Sequence, residues 1–296
     1  MTADLQRELD AKRLEFEELD LPRFQTGFPP QHLILTLLGE FWAGRTEPLP
    51  SAALVELLGE FEVNSAGARA AMARLARRGN LEVLRQGRTT SYRLAPRLAE
   101  LMPYAPLHTQ GFAQSRTDWD GRWTLVAFSS REESPVARAR LKVSLKMLRF
   151  GALHDGLWVS PYPPTEQLQL SLAEDLNFNC TIIVGEEVLD GVSPVTAWDT
   201  KTLRAVYDDF LATFSPVREQ MHAGRLSGTE ALVAHIQVTY RWFVLATTDP
   251  DLPAQLLPAD WPRNDAHRLF ADLIHGLRPA AERRVATIIT RYTRAY

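Results

Sequence analysis

Residues 64–97, NSAGARAAMARLARRGNLEVLRQGRTTSYRLAPR, largely determine how this chain folds and where its charge lies. The stretch contains eight arginines and one acidic residue, Glu82, so its local charge is +7. The whole chain of 296 residues has a net charge of −3, so the arginines are concentrated rather than spread out. A local basic patch attracts phosphate groups whatever the charge of the whole chain.

The first half of this stretch predicts a helix that is capped by Asn64 or Ser65 and ends at Gly79. Small residues and arginines share the outward face of this helix. Small side chains let a helix backbone approach a DNA groove, and arginines reach phosphates or guanine edges. The predicted inward face consists of Ala68, Ala71, Met72 and Leu75, and the outward arginines are Arg69, Arg74 and Arg77.

The second half predicts two strands, Leu81–Leu84 and Ser91–Leu94, which are joined by a hairpin loop at Arg85–Thr90. This loop has a basic tip, and we expect it to contact the DNA backbone through Arg85, Arg88 and Thr89. Both predicted recognition elements are therefore basic.

Two more helices are predicted before this stretch. The first follows Pro29-Pro30 and has an apolar stripe from Leu33 to Trp42, and the second starts at Ser51 as its N-cap. Three helices followed by two strands with a basic loop is the order of a winged helix. In that fold the third helix enters the major groove and the loop touches the flanking backbone.

The rest of the chain predicts an α+β fold that ends in helices. Strands at Thr124–Phe128, Gly156–Pro161 and Thr181–Val184, with an amphipathic helix over residues 135–149, favour a ferredoxin-like central domain. From Trp198 onward the apolar residues recur at helical spacing, with a further helix expected over residues 280–293. The predicted segments are a helical extension (1–28), a winged-helix domain (29–97), a central domain (98–190) and a helical domain (191–296).

Composition places the chain among cytoplasmic proteins. Its single cysteine, Cys180, excludes an internal disulfide and a cysteine zinc cluster. No apolar run approaches the length of a membrane helix, and the first 28 residues do not have the pattern of a secretory signal.

Several short motifs together resemble the PaaX family of bacterial repressors, which is named for the control of phenylacetate catabolism. They occur in order from about residue 20 to residue 290. The motifs are Leu35–Trp42, Ser51–Val55, Ala71–Gly79, Trp119–Trp123, Gly156–Pro161 and Leu256–Pro262.

The resemblance implies a homodimeric repressor that binds a pseudo-palindromic operator in double-stranded DNA. It also implies release from DNA when a small-molecule effector binds, such as the aryl-CoA thioester phenylacetyl-CoA. The matching DNA-contact positions are Ser65, Arg69, Arg74 and Arg88. The extension at residues 1–19 and the small residues at 66–68 depart from the family pattern, so the resemblance does not fix the operator sequence. The family also includes regulators of other pathways, so the resemblance does not fix the effector.

Aromatic and cationic residues outside the basic stretch are candidates for an effector pocket between the central and C-terminal domains. Aromatic rings can hold an aryl group, and an arginine can pair with a phosphate or carboxylate. For each tryptophan taken alone, a core position is the better interpretation. The candidates are Trp119, Arg122, Trp123, Trp158, Arg241 and Trp242.

Two alternatives belong to other functional classes. The winged helix can serve as a protein-interaction scaffold, or the central domain can act as a metal-dependent nuclease. A nuclease of that type needs an aspartate where the first central strand ends, whereas this strand ends in Ser129-Ser130 and serine is a poor Mg²⁺ ligand. The seven histidines lack metal-binding spacing, and no glycine loop for a phosphate cofactor is present. We therefore expect no enzyme activity, no metal and no cofactor.

Overall fold

The computed structural model describes residues 28–102, 119–130, 135–165, 178–186 and 193–293, together with Phe112, Leu168 and Gln169. Apart from Phe28, the predicted N-terminal extension lies outside the described residues. The fold is α+β, with two small sheets and a helical C-terminal region.

The N-terminal part contains the elements that the sequence predicts. Pro30–Trp42 (α1), Ser51–Gly59 (α2) and Ser65–Arg77 (α3) precede strands Leu81–Gln86 (β2) and Thr89–Leu94 (β3), and Pro96–Leu101 (α4) follows. A short strand, Leu49–Pro50 (β1), was not predicted and pairs antiparallel with β3. The faces of α1 and α3 that the apolar spacing predicts are buried in one core.

Two local predictions for this part are wrong. Ser51 is the first residue of α2 and Pro50 is its N-cap, because the fixed φ of Pro50 already places the chain at the helix entrance. The hairpin loop is only Gly87-Arg88, so Arg85 and Thr89 lie on strands and not in a loop. Gly87 has φ +58°, a conformation that glycine adopts without strain and that tight hairpin turns require.

The central part is a four-stranded antiparallel sheet with a helix on one face. Its strands are Trp123–Ser130 (β4), Gly151–His154 (β5), Leu157–Ser160 (β6) and Phe178–Gly185 (β7), in the spatial order β5-β6-β4-β7. Helix Pro135–Met147 (α5) follows β4, and its buried Leu141 and Leu145 pack into a core with Val126 and Phe128. Strand β5 was not predicted.

Three long helices form the C-terminal part: Thr200–His222 (α6), Gly228–Thr248 (α7) and Arg263–Thr293 (α8). Short 3₁₀ turns lie at Pro194–Ala197 and Ala254–Leu256. The prediction of a separate helix over residues 280–293 is wrong, because α8 continues through Pro279. Proline removes one helical hydrogen bond. Leu277 and Ala281, on either side of Pro279, are buried, and their packing keeps the helix continuous.

By packing, the chain forms two compact units, and neither is continuous in sequence. Unit 1 comprises Met1–Phe112, Phe210–Ala246 and Asp265–Tyr296, and unit 2 comprises Ala113–Asp209 and Thr247–Asn264. The C-terminal helices therefore divide between the units, and the four segments predicted from sequence remain a prediction. Within the described part of the chain, no helix is long and apolar enough to cross a membrane.

Candidate nucleic-acid interface

Helix α3 presents a buried apolar face and an exposed basic face. Asn64 caps its N-terminus, with the side-chain Oδ1 accepting a hydrogen bond from the Gly67 N–H at 2.8 Å. Ala68, Ala71, Met72 and Leu75 are buried, as the spacing predicts. The predicted contact residues Ser65, Arg69, Arg74 and Arg77 are all exposed.

Asn64→Ala is expected to lower the free energy of unfolding by about 1 kcal/mol, because the N–H of Gly67 loses its acceptor. Urea denaturation followed by circular dichroism measures this change. Ser65→Ala is the matched control, since Ser65 is the adjacent helical residue and its side chain is not the cap. An equal loss in both variants would contradict the capping role of Asn64.

Small side chains separate the arginines on the exposed face of α3. Ala66, Ala70 and Ala73 are exposed there, so a large part of the helix surface is backbone and methyl groups. Gly67 has a local explanation as well: an added Cβ would lie 3.3 Å from Asn64 Oδ1, the atom that caps the helix. The glycine therefore fits the cap, and close approach to DNA is not needed to explain it.

The hairpin places two more arginines on the same unit. Arg85 near the end of β2 and Arg88 in the turn are exposed, and Thr89 is half-buried at the start of β3. Arg93 differs from these two arginines, because it forms an ion pair with Glu82 in which its Nε lies 2.7 Å from Glu82 Oε2. Leu75 of α3 and Leu81 and Leu94 of the hairpin share one core, so the helix and the hairpin are held together.

The arginines of this surface are available to bind an anion. Among the described residues, no carboxylate pairs with Arg69, Arg74, Arg77, Arg85 or Arg88. Guanidinium groups that have no internal partner are free to exchange water and counterions for phosphate oxygens. We call this set of five arginines with Ser65 the basic surface.

The candidate effector residues divide between the two compact units. Trp119, Arg122 and Trp123 form one cluster, in which Trp119 Nε1 donates to the Arg122 carbonyl at 2.9 Å and the two tryptophan rings are 5.1 Å apart. Trp123 also faces Trp198, 6.5 Å away between ring centroids, which the sequence did not single out.

The remaining candidates lie elsewhere. Trp158 is opposite Val126 in the sheet register and is buried with it, on the face opposite to that of Trp123. Trp242 is fully buried among Phe210, Phe270 and His267, where burial lowers the pKa of the His267 imidazole. Arg241 is exposed on α7. Arg241 and Trp242 belong to unit 1 and the other four to unit 2, and the interdomain pocket stays a prediction.

The nuclease alternative gains no support from the geometry. Within the described ranges, no group of three or more histidine, cysteine or carboxylate side chains is arranged to hold a metal ion. Asp120 caps a turn, with its Oδ1 accepting from the Arg122 N–H at 2.9 Å, and Asp118 lies outside the described residues.

Sequence reasoning missed two sets of charged residues. Glu40, Glu56 and Glu60 of the N-terminal part form ion pairs with α8, and Glu40 and Glu60 also form hydrogen bonds with α7. Asp249 and Arg263 form a buried network in unit 2. One signal was visible for the first set: Glu40 lies seven residues after Leu33, on the apolar stripe of α1, and a charge on such a stripe requires a partner.

Comparison with known proteins gives the family. Family models described as PaaX-like protein, PaaX protein central Cas2-like domain and PaaX-like protein C-terminal domain match residues 30–98, 116–191 and 198–287. The transcriptional repressor PaaX of Escherichia coli (strain K12) is 29% identical over 254 residues, which is 82% of this chain and 76% of that protein.

A solved structure resembles the chain in its fold. It is the uncharacterized protein Rv0674 from Mycobacterium tuberculosis, with a TM-score of 0.53 and 21% identity, covering 84% of this chain and 97% of that one. The three family models follow one another in sequence order with only short gaps between them. The chain therefore belongs to the PaaX family.

Proposed function

We propose that this protein is a sequence-specific DNA-binding transcriptional regulator, a repressor of a catabolic operon, and not an enzyme. The observation that carries the proposal is the basic surface, whose five arginines have no carboxylate partner among the described residues. The name of the Escherichia coli relative, a transcriptional repressor, agrees with it.

In this proposal residues 29–97 form a winged helix with α3 as the recognition helix. The exposed alanines let the backbone of α3 approach the major groove, and Arg69 and Arg74 read guanine edges or bind phosphates. Arg85, Arg88 and Thr89 of the hairpin bind the flanking backbone. The three-helix and hairpin order supports this domain type.

The central part then corresponds to a ferredoxin-like domain. The antiparallel strand order β5-β6-β4-β7, with α5 between the first two strands in sequence, supports that inference. Among the residues that the structure describes, β4 ends in Ser129-Ser130 and has no carboxylate at its end. In this proposal the domain does not cleave nucleic acid.

The regulator acts as a homodimer in the bacterial cytoplasm. Two copies of α3, about one helical turn of DNA apart, read a pseudo-palindromic operator. A small-molecule effector, with aryl-CoA thioesters as the first class to test, binds a conformation whose helix spacing no longer matches the operator. Trp119, Arg122 and Trp123 are the candidate effector contacts that lie together. Trp158, Arg241 and Trp242 serve in this proposal only if the pocket extends to them.

Wild-type protein is expected to bind the DNA upstream of its own gene more tightly than random DNA, with an affinity that falls steeply with salt. A dimer making about 6–10 phosphate contacts loses roughly 10³–10⁵-fold in affinity between about 50 and 200 mM salt. Fluorescence anisotropy at the two salt concentrations measures this.

The same assay separates the proposal from a protein-interaction scaffold. A scaffold would show no DNA preference and little salt dependence, and that outcome would move the search to protein partners. Titrating phenylacetyl-CoA into the preformed complex then tests the effector class, with release of the labelled DNA as the expected result.

A further inference from the structure

Three glutamates of the DNA-binding part bind the C-terminal helices. Glu40 is on α1, Glu56 is on α2, and Glu60 is the residue that ends α2. Their partners lie on α7 and α8, all within unit 1. We call Glu40, Glu56 and Glu60 the carboxylate latch.

Glu60 makes the best-formed of these contacts. Arg284 of α8 holds it with two parallel hydrogen bonds, Nη2 to Oε1 at 2.7 Å and Nε to Oε2 at 2.9 Å, and Thr229 of α7 donates to Oε2 at 2.6 Å. The hydrogen bonds from Arg284 hold the pKa of Glu60 below its ordinary value, against the effect of partial burial. Bidentate arginine–carboxylate pairs fix geometry as well as adding energy.

Glu40 and Glu56 extend the latch along the helices. His235 of α7 is fully buried, with its Nε2 2.9 Å from Glu40 Oε2, and Arg278 of α8 lies 3.7 Å from the same oxygen. Arg291 and Tyr292 near the end of α8 bind the two carboxylate oxygens of Glu56 at 2.5 and 2.6 Å. Each glutamate thus has at least two partners on the C-terminal helices.

The helices that carry the latch also share an apolar core. Leu232 and Ile236 of α7, and Ala281, Val285 and Ile288 of α8, are buried in the same cluster as the stripes of α1 and α3. Burial of apolar surface is not directional, whereas ion pairs specify one arrangement of the helices. The core therefore holds α7 and α8 against the DNA-binding helices, and the latch selects how they lie.

The latch also has an electrostatic consequence for DNA binding. Three carboxylates on a domain that must approach phosphates oppose binding unless cations neutralise them. Arg284, Arg291 and Arg278, all from the C-terminal helices, supply that charge. Separation of α7 and α8 from the DNA-binding helices would remove the fixed arrangement of these helices. It would also leave the three carboxylates without the cations that neutralise them.

We propose that α7 and α8 control DNA affinity through the carboxylate latch, so that the closed latch is the DNA-binding state and its opening is the step that weakens binding. This inference rests on the proposed DNA-binding function and adds the element that regulates it. Glu60 and Arg284 are positioning residues here and do not contact DNA.

Charge reversal at Glu60 gives a sharp test, because electrostatics alone and the latch predict opposite results. Glu60→Arg adds positive charge to the DNA-binding part, which by itself strengthens DNA binding. If the latch positions the domain, Glu60→Arg and Arg284→Glu each weaken binding to the upstream fragment, about 5- to 150-fold, as is usual for coupled sites. The double variant Glu60→Arg/Arg284→Glu restores the pair with reversed charges and recovers most of the affinity.

Glu100→Arg is the matched control, since Glu100 is an exposed glutamate on α4 of the same unit. It is expected to bind DNA at least as tightly as wild type. Glu60→Gln, with no reversal of charge, covers the case in which a reversal variant does not fold, and circular dichroism confirms folding for each protein.

The outcomes separate the two proposals. Tighter binding by folded Glu60→Arg, matching Glu100→Arg, overturns the latch and leaves the DNA-binding function standing, as does wild-type affinity in Glu60→Gln. Loss of binding in the double variant as deep as in the single variants also overturns it. If wild type itself shows no preference for any DNA, the proposed function fails and the latch fails with it.

Discussion

Asp249→Ala is expected to lower the free energy of unfolding by about 3 kcal/mol, because it removes the carboxylate that binds the buried Arg263 guanidinium through two nitrogens. Arg263 then retains Asp251 as a carboxylate partner, with its Nη1 3.3 Å from Asp251 Oδ1. Asp249 follows α7 directly, and its side chain is completely buried. Urea denaturation, followed by the fluorescence of the chain's tryptophans, measures the change.

The size of the effect follows from the contacts that Asp249 makes. Arg263 binds both of its oxygens, with Nη2 to Oδ1 at 3.0 Å and Nε to Oδ2 at 3.2 Å. The Tyr207 hydroxyl donates to Oδ2 at 2.5 Å, and burial together with the negative charge of Asp249 raises the pKa of that hydroxyl well above its ordinary value. Tyr207 therefore remains a donor at physiological pH, and it too would lose its acceptor.

Asp260→Ala is the matched control for this variant. Asp260 also pairs with an arginine in unit 2, Arg204 at 2.8 Å, but its carboxylate is 73% exposed. Exposed ion pairs contribute little because water and salt screen them. We expect the unfolding midpoint of Asp260→Ala to match that of wild type. If Asp249→Ala lost as little stability as Asp260→Ala, the network around Asp249 would not be coupled to folding.

The helices of the N-terminal part could be predicted because their signals are local. The stripe Leu33, Leu37 and Phe41 recurs at helical spacing and is buried as expected. Asn64 is a preferred cap residue, and Gly79 ends α3 with φ +73°. Helix capping and apolar periodicity depend on residues within one or two helical turns, so the sequence of each segment is enough to predict its helix.

Other features depend on residues far apart in sequence. Strand β1 exists because Leu49 lies opposite Tyr92, a pairing that neither segment reveals alone. The continuity of α8 through Pro279 depends on tertiary packing that offsets the lost hydrogen bond. Single-segment patterns cannot supply such contacts.

Arg149 illustrates a local rule that tertiary structure overrides. It follows α5 with φ +67°, a position that usually holds glycine, and the Phe150 N–H bonds to the Leu145 carbonyl as at an ordinary helix end. The guanidinium explains the exception, since it pairs with Asp251, which has φ +56° itself. One largely buried ion pair thus holds Arg149 and Asp251 in backbone conformations that are strained for residues other than glycine. Sequence rules for helix ends favour glycine at this position and would not predict an arginine.

The residues of the candidate site also include some that local sequence predicts and some that it does not. The exposure of Arg69, Arg74 and Arg77 follows from their spacing on α3, so the sequence alone identified that face. The effector candidates were chosen by residue type, and type does not tell a core tryptophan from a binding tryptophan. Trp158 and Trp242 are accordingly buried in separate cores.

Replacing both Arg69 and Arg74 by alanine is expected to weaken binding to the upstream DNA fragment on the order of 100-fold or more, since an arginine contact to a base edge contributes about 1–3 kcal/mol. Both side chains are exposed on α3, so their removal should leave folding unchanged.

The double variant Arg225→Ala/Arg283→Ala is the control, because it removes the same charge from exposed positions on the C-terminal part. Net charge acts on all DNA alike, whereas base contacts act only on the operator. We therefore expect the α3 variant to lose its preference for the upstream fragment over random DNA, and the control to keep it. Anisotropy titrations of wild type and both variants against both DNA fragments give the six affinities needed. If the two variants weaken operator and random binding by the same factors, the arginines of α3 supply charge without sequence recognition, and α3 would not be the element that reads the bases.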